Sequence, residues 1–347
     1  MLSLSIHPFE LAFEYPFTIA KGTKTHQPTL IVSLGMGQFR GYGEAPAISY
    51  YGVTVDSMIE SLKKKQHLLQ TYALTDPRRF WHFLEHLFPE QNFFIAALDI
   101  AGWDLFAQLR RMPLHHLLMI PKNPPPLCDY TIGIDCIEKM VAKVKAHPSP
   151  IYKIKIKSAE DIQHIEALRA ATDKPFRVDA NESLTFDEVV KLLPEFEKLG
   201  VKELEQPLEK TAWEAMKELK ALSPIDLYAD ESCVEEHDVI KCVNSFHGIN
   251  IKLTKCGGIT PALRMIKNAK QAGLKVMLGT MNESTVGTAA LIHLQPLADA
   301  LDADGPLLLK EDVADGLRYE KGLWHTNDYT GLGLGFWGEK RERKLNS

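Results

Sequence analysis

The chain has 347 residues, 45% hydrophobic and 24% charged, with a formal net charge of −5. That length exceeds the usual size of one hydrophobic core, so two domains, or one barrel with an addition, are expected. With no basic stripe and no apolar run of membrane-span length, nucleic acid and membrane are poor candidates as partners.

The five cysteines (Cys128, Cys136, Cys233, Cys242 and Cys256) are odd in number, widely spaced and free of CxxC pairs. They fit neither a disulfide framework nor a zinc site, and they suit a reducing cytosol. Residues 1–8 lack the basic segment and apolar core of a secretory signal, so a cytoplasmic protein is expected.

In chain order, β-rich segments come first at residues 11–19 and 29–34, followed by Gly41-Tyr42-Gly43-Glu44-Ala45-Pro46. Helical periodicity then predicts helices at 54–70, 77–88 and 91–111. Strands followed by a run of helices suggest a separate α+β module over residues 1–125. The proline-rich 121–126 reads as its linker.

From Cys128 onward, short apolar runs alternate with amphipathic helices. Strand ends are expected near Gly133, Lys155, Asp179, Glu205, Asp230, Lys252, Gly279 and Asp302, with helices starting near Glu138, Ala159, Thr185, Thr211, Val234, Thr260 and Ser284. Eight such repeats over 126–327 predict a TIM-type β/α barrel of the α/β class. A doubly wound sheet ranks well below, because no GxGxxG follows the first strand. The tail, 328–347, is too short for a domain and is expected to pack back on the first module. Its charge run at 339–344 reads as a solvated end.

Three acidic tripeptides stand at successive strand ends: Asp179-Ala180-Asn181, Glu205-Gln206-Pro207 and Asp230-Glu231-Ser232, 26 and 25 residues apart. One acid after a strand is ordinarily a helix cap. Three at consecutive strand ends repel one another unless a cation sits among them. Oxygen ligands without a nearby Cys or His favour Mg²⁺ over zinc. Asn181 and Glu231 are candidates to orient the ligands from behind.

In Lys153-Ile154-Lys155-Ile156-Lys157 the lysines alternate onto one face of a strand. An isolated KIKIK would be a solvated edge strand, but a barrel strand is covered on both faces, so its lysines belong at the open mouth. One step after Asp230, Lys252 and Lys255 differ by an odd number, so an extended strand turns only one of them inward. Lys252 is the one chosen, and Lys255 is expected in the loop before Gly257-Gly258. Three carboxylates between Lys155 and Lys252 can hold a hard cation and move protons on either side of it.

The set KIK, DAN, EQP, DES and NIKLTKCGG resembles the enolase superfamily, specifically its muconate lactonizing enzyme subgroup, over nearly the whole chain. Gly41–Glu44 is similar to that group's cap strand, and 97–105 to its third cap helix. The resemblance implies a capping domain over a modified barrel, one Mg²⁺ held by Asp179, Glu205 and Asp230, and an acid/base pair of Lys155 and Lys252.

Within the subgroup, Leu301-Asp302-Ala303-Asp304-Gly305-Pro306 resembles the eighth-strand DxD of dipeptide epimerases, whose two acids receive the substrate α-ammonium. Residues 279–284 resemble the segment lining the dipeptide site, and Met281, Thr131 and Lys153 are carried along as substrate-pocket residues. One departure is visible. Lys24 stands where members acting on L-Ala-D/L-Glu can carry an arginine, which keeps the charge and loses the bidentate fork. Lys21, His26, Tyr50 and Tyr51 are further cap residues near that loop.

The implied activity is epimerisation of a dipeptide at its C-terminal residue, with L-Ala-D/L-Glu, a cell-wall fragment, as the expected substrate. The alternatives left open are a cycloisomerase, an o-succinylbenzoate synthase, an N-acylamino acid racemase, or a non-catalytic barrel. Such relatives often form homo-oligomers, but no interface is legible in the sequence.

Overall fold

A computed structural model describes residues 2–337. The chain opens with an antiparallel meander, β1 (Ser3–Ile19), β2 (Gly22–Met36) and β3 (Phe39–Pro46). The first two strands are longer than the 11–19 and 29–34 expected from the sequence. Their pairing continues from Ile19 opposite Gly22 to Ser3 opposite Gly35, and Leu4 and Ile6 pack on the core beneath.

Three helices cover this sheet: α1 (Val55–Thr71), α2 (Pro77–Leu87) and α3 (Asn92–Leu109), followed by the single turn α4 (Leu114–Leu117). Thr54 and Asp76 cap α1 and α2 by accepting the backbone N–H groups of Ser57 and Arg78. Helix α3 is buried along nearly its whole length, because the sheet covers one side and the barrel the other. The glycines of Gly41-Tyr42-Gly43 permit that closeness. A Cβ at Gly41 or Gly43 would stand 2.2 or 2.0 Å from the carbonyl oxygens of Ala101 and Ala97.

The barrel follows as β4 (Tyr130–Ile132), α5 (Ile137–Ala146), β5 (Tyr152–Lys155), α6 (Ile162–Ala171), β6 (Phe176–Asp179), α7 (Phe186–Lys198), β7 (Val201–Glu205), α8 (Trp213–Leu222), β8 (Asp226–Ala229) and α9 (Asp238–Cys242). It continues through β9 (Gly248–Lys252), α10 (Leu253–Cys256), α11 (Ile259–Gln271), β10 (Lys275–Gly279), α12 (Thr285–Ile292) and β11 (Ala300–Asp302). The eight strands lie in sequence order and pair in parallel, and a bridge from Cys128 to Leu301 brings the two edges together. This is the barrel the sequence pattern called for.

Two details differ. Helix α9 begins at Asp238 rather than near Val234, because the Asp238 carboxylate accepts the N–H groups of Val234 and Glu235 and holds that stretch as a turn. The last strand is followed by short strands, β12 (Ala314–Asp315), β13 (Leu317–Glu320), β14 (Leu323–Thr326) and β15 (Gly335–Phe336), in place of an eighth outer helix.

The final described segment runs back along the first module. Leu332 N–H donates to Asp104, Leu114 N–H donates to Gly331, and the Phe336 ring meets His7, Phe9 and Tyr42. The charge run at 339–344 lies outside the described residues. Among those residues no helix is long and apolar enough to cross a membrane.

The cap is fastened to the barrel along one seam. Trp81 donates to the Gly257 carbonyl at 2.8 Å, Asn92 to the Lys255 carbonyl at 3.0 Å, and Trp103 to Thr260 Oγ1 at 2.9 Å. The Asp99 carboxylate accepts both the N–H and the hydroxyl of Thr260. Gly258 must be glycine there: its φ is +117°, and a Cβ would lie 2.4 Å from Asp99 Oδ2. On the other side, Glu44 of β3 accepts the N–H groups of Ser284 and Gly287 at the start of α12. The mouth of the barrel is thereby held under the cap.

Candidate active site

Along each barrel strand, side chains alternate between the helices and the barrel axis. Ile154, Val178, Leu204, Ile251, Leu278 and Leu301 turn outward and are wholly buried in the main core. The residues between them turn inward. Tyr228, Met277 and Ala300 form a separate small cluster, an apolar plug inside the barrel. Above it stand Lys153 and Lys155 from β5, Asp179 from β6, Glu205 from β7, Asn250 and Lys252 from β9, and Asp302 from β11, all buried. Asp230 follows the last residue of β8.

One oxygen from each of Asp179, Glu205 and Asp230 lies within 4.8 Å of the others. Lysines press on this triad from every side. Lys155 donates to Asp179 Oδ2 at 2.5 Å, and Lys252 to Asp230 Oδ2 at 2.7 Å. Lys153 reaches Glu205 Oε2 at 2.8 Å, Asp302 Oδ2 at 2.6 Å and Asp179 Oδ2 at 3.1 Å.

The electrostatics follow from that crowding. Burial works to raise the Asp179 carboxyl, but Lys155 and Lys153 outweigh it and bring the pKa down to about 2. At Asp230 burial is again overcome, by Lys252 and Lys255, and the carboxyl is held well below its ordinary value. Glu205 goes the other way. Burial, with Asp179 and Asp230 as like charges, pushes it up to about 7 despite Lys153. Burial would lower Lys252, yet Asp230 and Glu205 raise it. A self-repelling, oxygen-only triad at a barrel mouth suits a hard divalent cation.

The loops after these strands are strained in a consistent way. Asn181, Glu182 and Gln206 all have positive φ (43°, 69° and 36°), as non-glycine residues at functional sites often do. Asn181 donates its N–H to Asp179 Oδ1 at 2.9 Å and its side-chain amide to Glu231 at 3.2 Å. Gln206 accepts the N–H groups of Asp230 and Ser232 and donates to the hydroxyl of Ser232, so one amide shapes the Asp230 loop.

A cleft with a cavity volume of about 110 Å³ lies between cap and barrel, and Lys153, Lys155, Asp230 and Lys252 line its floor. Asp302, Asp304, Thr131, Met281, Asn181, Glu231 and Lys24 line it as well, so most of the sequence-derived candidates share one cavity. The Thr131 N–H donates to Asp304 Oδ2 at 2.6 Å. Phe17, Ile19, Ile48, Tyr50 and Tyr51 add an apolar wall from the cap. Lys24 is partly buried there; its ammonium meets Gln27 Oε1 at 3.1 Å, and burial lowers its pKa. Lys21 pairs with Glu182, and its ammonium lies over the Tyr50 ring, while the Tyr50 hydroxyl also donates to Glu182. His26 instead lines an outer groove beside β2.

Two expectations need correction, and one residue was missed. Lys157 is exposed and outside the site, because β5 ends at Lys155 and the next residues turn to meet Asp161. Lys255 is neither in a loop nor at the surface. The chain turns helical directly after Lys252, so the two-residue alternation stops, and three further residues return the side chain to the same side. Its ammonium is fully buried and donates to Asp230 Oδ1 at 2.5 Å. Asn250, which donates to Glu205 Oε1 at 3.0 Å, was passed over, though its place two residues before Lys252 puts it on the same inward face.

Two family models match the chain: the enolase C-terminal domain-like family over residues 135–340, and the mandelate racemase / muconate lactonizing enzyme N-terminal domain over 3–118. The chain is 41% identical over 333 residues to the L-Ala-D/L-amino acid epimerase of Flavobacterium johnsoniae, covering 96% of this chain and 99% of that one. It is 43% identical to the enzyme of the same name from a Maribacter species, covering 91% and 94%. Among solved structures, the dipeptide epimerase of Cytophaga hutchinsonii, complexed with Mg and D-Ala-L-Val, superposes with a TM-score of 0.91 at 27% identity, covering 96% and 95%. A capped barrel with acids at three successive strand ends, two facing lysines and matches along both halves places this chain in the mandelate racemase / muconate lactonizing enzyme family of the enolase superfamily.

Proposed function

We propose that the protein is a Mg²⁺-dependent dipeptide epimerase that inverts the α-carbon of the C-terminal residue by transferring a proton between two lysines. The observation that carries this reading is positional. Lys155 on β5 and Lys252 on β9 stand four places apart in an eight-stranded ring, on opposite walls, with Asp179, Glu205 and Asp230 between them.

An amine alone is too weak a base for a proton next to a carboxylate. A Mg²⁺ ion held by Asp179, Glu205 and Asp230 would supply stabilisation for the charge that grows on the substrate carboxylate in the transition state. The chain's own part is then proton traffic. One lysine, as free amine, takes the α-proton from its side. The opposite lysine, as ammonium, returns a proton from the other side, and the roles exchange when the reaction runs backward. Asn181 and Glu231 stand behind the triad as orienting partners, and Lys153 fixes Glu205 and Asp302 from within.

The substrate end follows from the acids of β11 and the loop after it. Asp302 and Asp304 line the cleft and suit an α-ammonium, which a cycloisomerase, an o-succinylbenzoate synthase or an N-acylamino acid racemase has no need to bind. The two sequence relatives named for L-Ala-D/L-amino acids support L-Ala dipeptides as the substrate class. Lys24, which lines the same cleft as Thr131 and Met281, favours L-Ala-D/L-Glu within it, because its ammonium meets the neutral amide of Gln27 and keeps its charge for an anionic side chain.

The reading takes residues 1–125 with 328–347 as the cap, of which 338–347 lie outside the described residues, and 126–327 as the barrel, supported by a separate apolar core beneath the first sheet. It also takes the protein as a cytoplasmic enzyme, in keeping with five free cysteines, and as a homo-oligomer, which sedimentation would test. The decisive experiment is α-proton exchange in deuterium oxide across a small dipeptide library, with and without Mg²⁺. Exchange at the C-terminal residue that needs Mg²⁺ and a free N-terminus is expected. Exchange of N-acylated amino acids in preference to dipeptides would overturn the assignment.

A further inference from the structure

Each of the three acids has its two oxygens held by different residues. One oxygen of each is held by a lysine of the cleft floor: Asp179 Oδ2 by Lys155, Glu205 Oε2 by Lys153, and Asp230 Oδ2 by Lys252. Each remaining oxygen accepts from a donor on a buried residue. Asp179 Oδ1 accepts the backbone N–H of Asn181 at 2.9 Å. Glu205 Oε1 accepts the side-chain amide of Asn250 at 3.0 Å, and Asp230 Oδ1 accepts the ammonium of Lys255 at 2.5 Å.

Asn250 and Lys255 are both wholly buried. The Lys255 ammonium also meets the carbonyl oxygens of Asp230, Cys233 and Asn250 at 2.6, 2.9 and 3.1 Å. Four acceptors surround three N–H groups, so the side chain has no slack with which to release Asp230.

We propose that Lys255 and Asn250 are positioning residues that hold Asp230 and Glu205 to one ligand oxygen each and so select Mg²⁺ against Ca²⁺. Mg²⁺ demands near-octahedral geometry and is satisfied by few carboxylate oxygens plus water and substrate. Ca²⁺ takes up to eight oxygens and commonly draws both from one carboxylate. A carboxylate whose second oxygen is engaged by a buried donor has only one to give. The arrangement therefore leaves Mg²⁺ its preferred shell and denies Ca²⁺ its own.

The inference rests on Asp179, Glu205 and Asp230 being the metal ligands, and the test separates the two. Full-length protein stripped with a chelator is titrated with MgCl₂ and with CaCl₂ by calorimetry, for the wild type, Lys255→Met and Asn250→Ala, with thermal melting to confirm that each variant is folded. Partners behind metal ligands change affinity by about 10- to 100-fold, so the ratio of the Ca²⁺ to the Mg²⁺ dissociation constant should fall by about tenfold or more in a folded variant. If Lys255→Met does not fold, Asn250→Ala alone decides, since it removes no buried cation. A ratio within about twofold of wild type in every folded variant overturns the selection proposal while leaving the ligand assignment standing. A wild type that binds neither ion at millimolar concentration overturns the ligand assignment itself, and this proposal with it.

Discussion

On the proposed mechanism, removing Lys155 or Lys252 one at a time should split the reaction into halves. In Lys155→Ala, Asp179 keeps Lys153 at 3.1 Å on Oδ2 and the Asn181 N–H on Oδ1, so the acid does not lose its last partner. In Lys252→Ala, Asp230 keeps Lys255 at 2.5 Å. What each variant loses is then one proton-transfer group rather than the triad. Such a group contributes about 10²–10⁴ in rate, or about 3–5 kcal/mol of barrier, and epimerisation should fall by that factor in both variants because it needs both walls. Exchange from the wall that keeps its lysine should persist. Each epimer of the dipeptide, incubated separately in deuterium oxide and followed by ¹H NMR, should lose its α-proton signal with only one of the two variants, and the variants should retain opposite epimers. Loss of exchange on the same epimer in both variants, or retained exchange in the double variant, would refute the opposite-wall argument.

Asp304→Asn keeps an oxygen for the Thr131 N–H but removes the charge; KM for free dipeptides should rise about tenfold, as expected for a lost charge-assisted bond, while N-acetylated peptides show no change. Lys24→Met should lower kcat/KM for L-Ala-L-Glu relative to L-Ala-L-Leu by about tenfold. Because burial lowers the Lys24 pKa, the wild-type preference for the acidic side chain should fade on alkaline titration sooner than a solvated lysine would allow. Burial raises Asp99 to about 7, against the Thr260 bonds and Arg264 that act to lower it. Between about pH 4 and 7 the folded state therefore holds a proton the unfolded chain has released, and stability falls as pH rises, by on the order of 4 kcal/mol. Asp99→Asn should flatten that slope in pH-dependent thermal melts; an unchanged slope would remove Asp99 as its source.

The barrel was legible because a parallel ring imposes two periods at once, alternation along each strand and a repeat of about 25 residues between strands. Asp179, Glu205 and Lys252 are inward-facing strand ends under both rules, and Asp230 follows its strand by one residue, so all four could be placed from spacing alone. Errors arose where a period changed without a glycine or proline to announce it. Lys157 follows the last residue pair of β5, and Lys255 lies in a helical turn that begins immediately after β9. Contacts between distant segments left no trace. Asn92 to Lys255, Asp99 to Thr260 and Glu44 to Ser284 span 163, 161 and 240 residues, and only the folded chain brings them together. The positive φ of Gln206 was hidden for a related reason, since its side chain serves the neighbouring loop rather than its own.

Those long-range contacts also divide the cap by function. Its helices are fixed to Gly257 and Thr260, directly after the turn that carries Lys255, by buried bonds from Trp81, Trp103 and Asp99, and breaking any of these would strand a polar group without water. Its two loops meet the barrel differently. Lys21 and Tyr50 converge on Glu182 in a partly exposed cluster, whose bonds water can replace at little cost. The energetic asymmetry predicts that a dipeptide enters past the loops. On that division Lys21→Met should speed substrate association and weaken water exclusion, while substitutions along the Asp99 seam should disturb Lys255 itself.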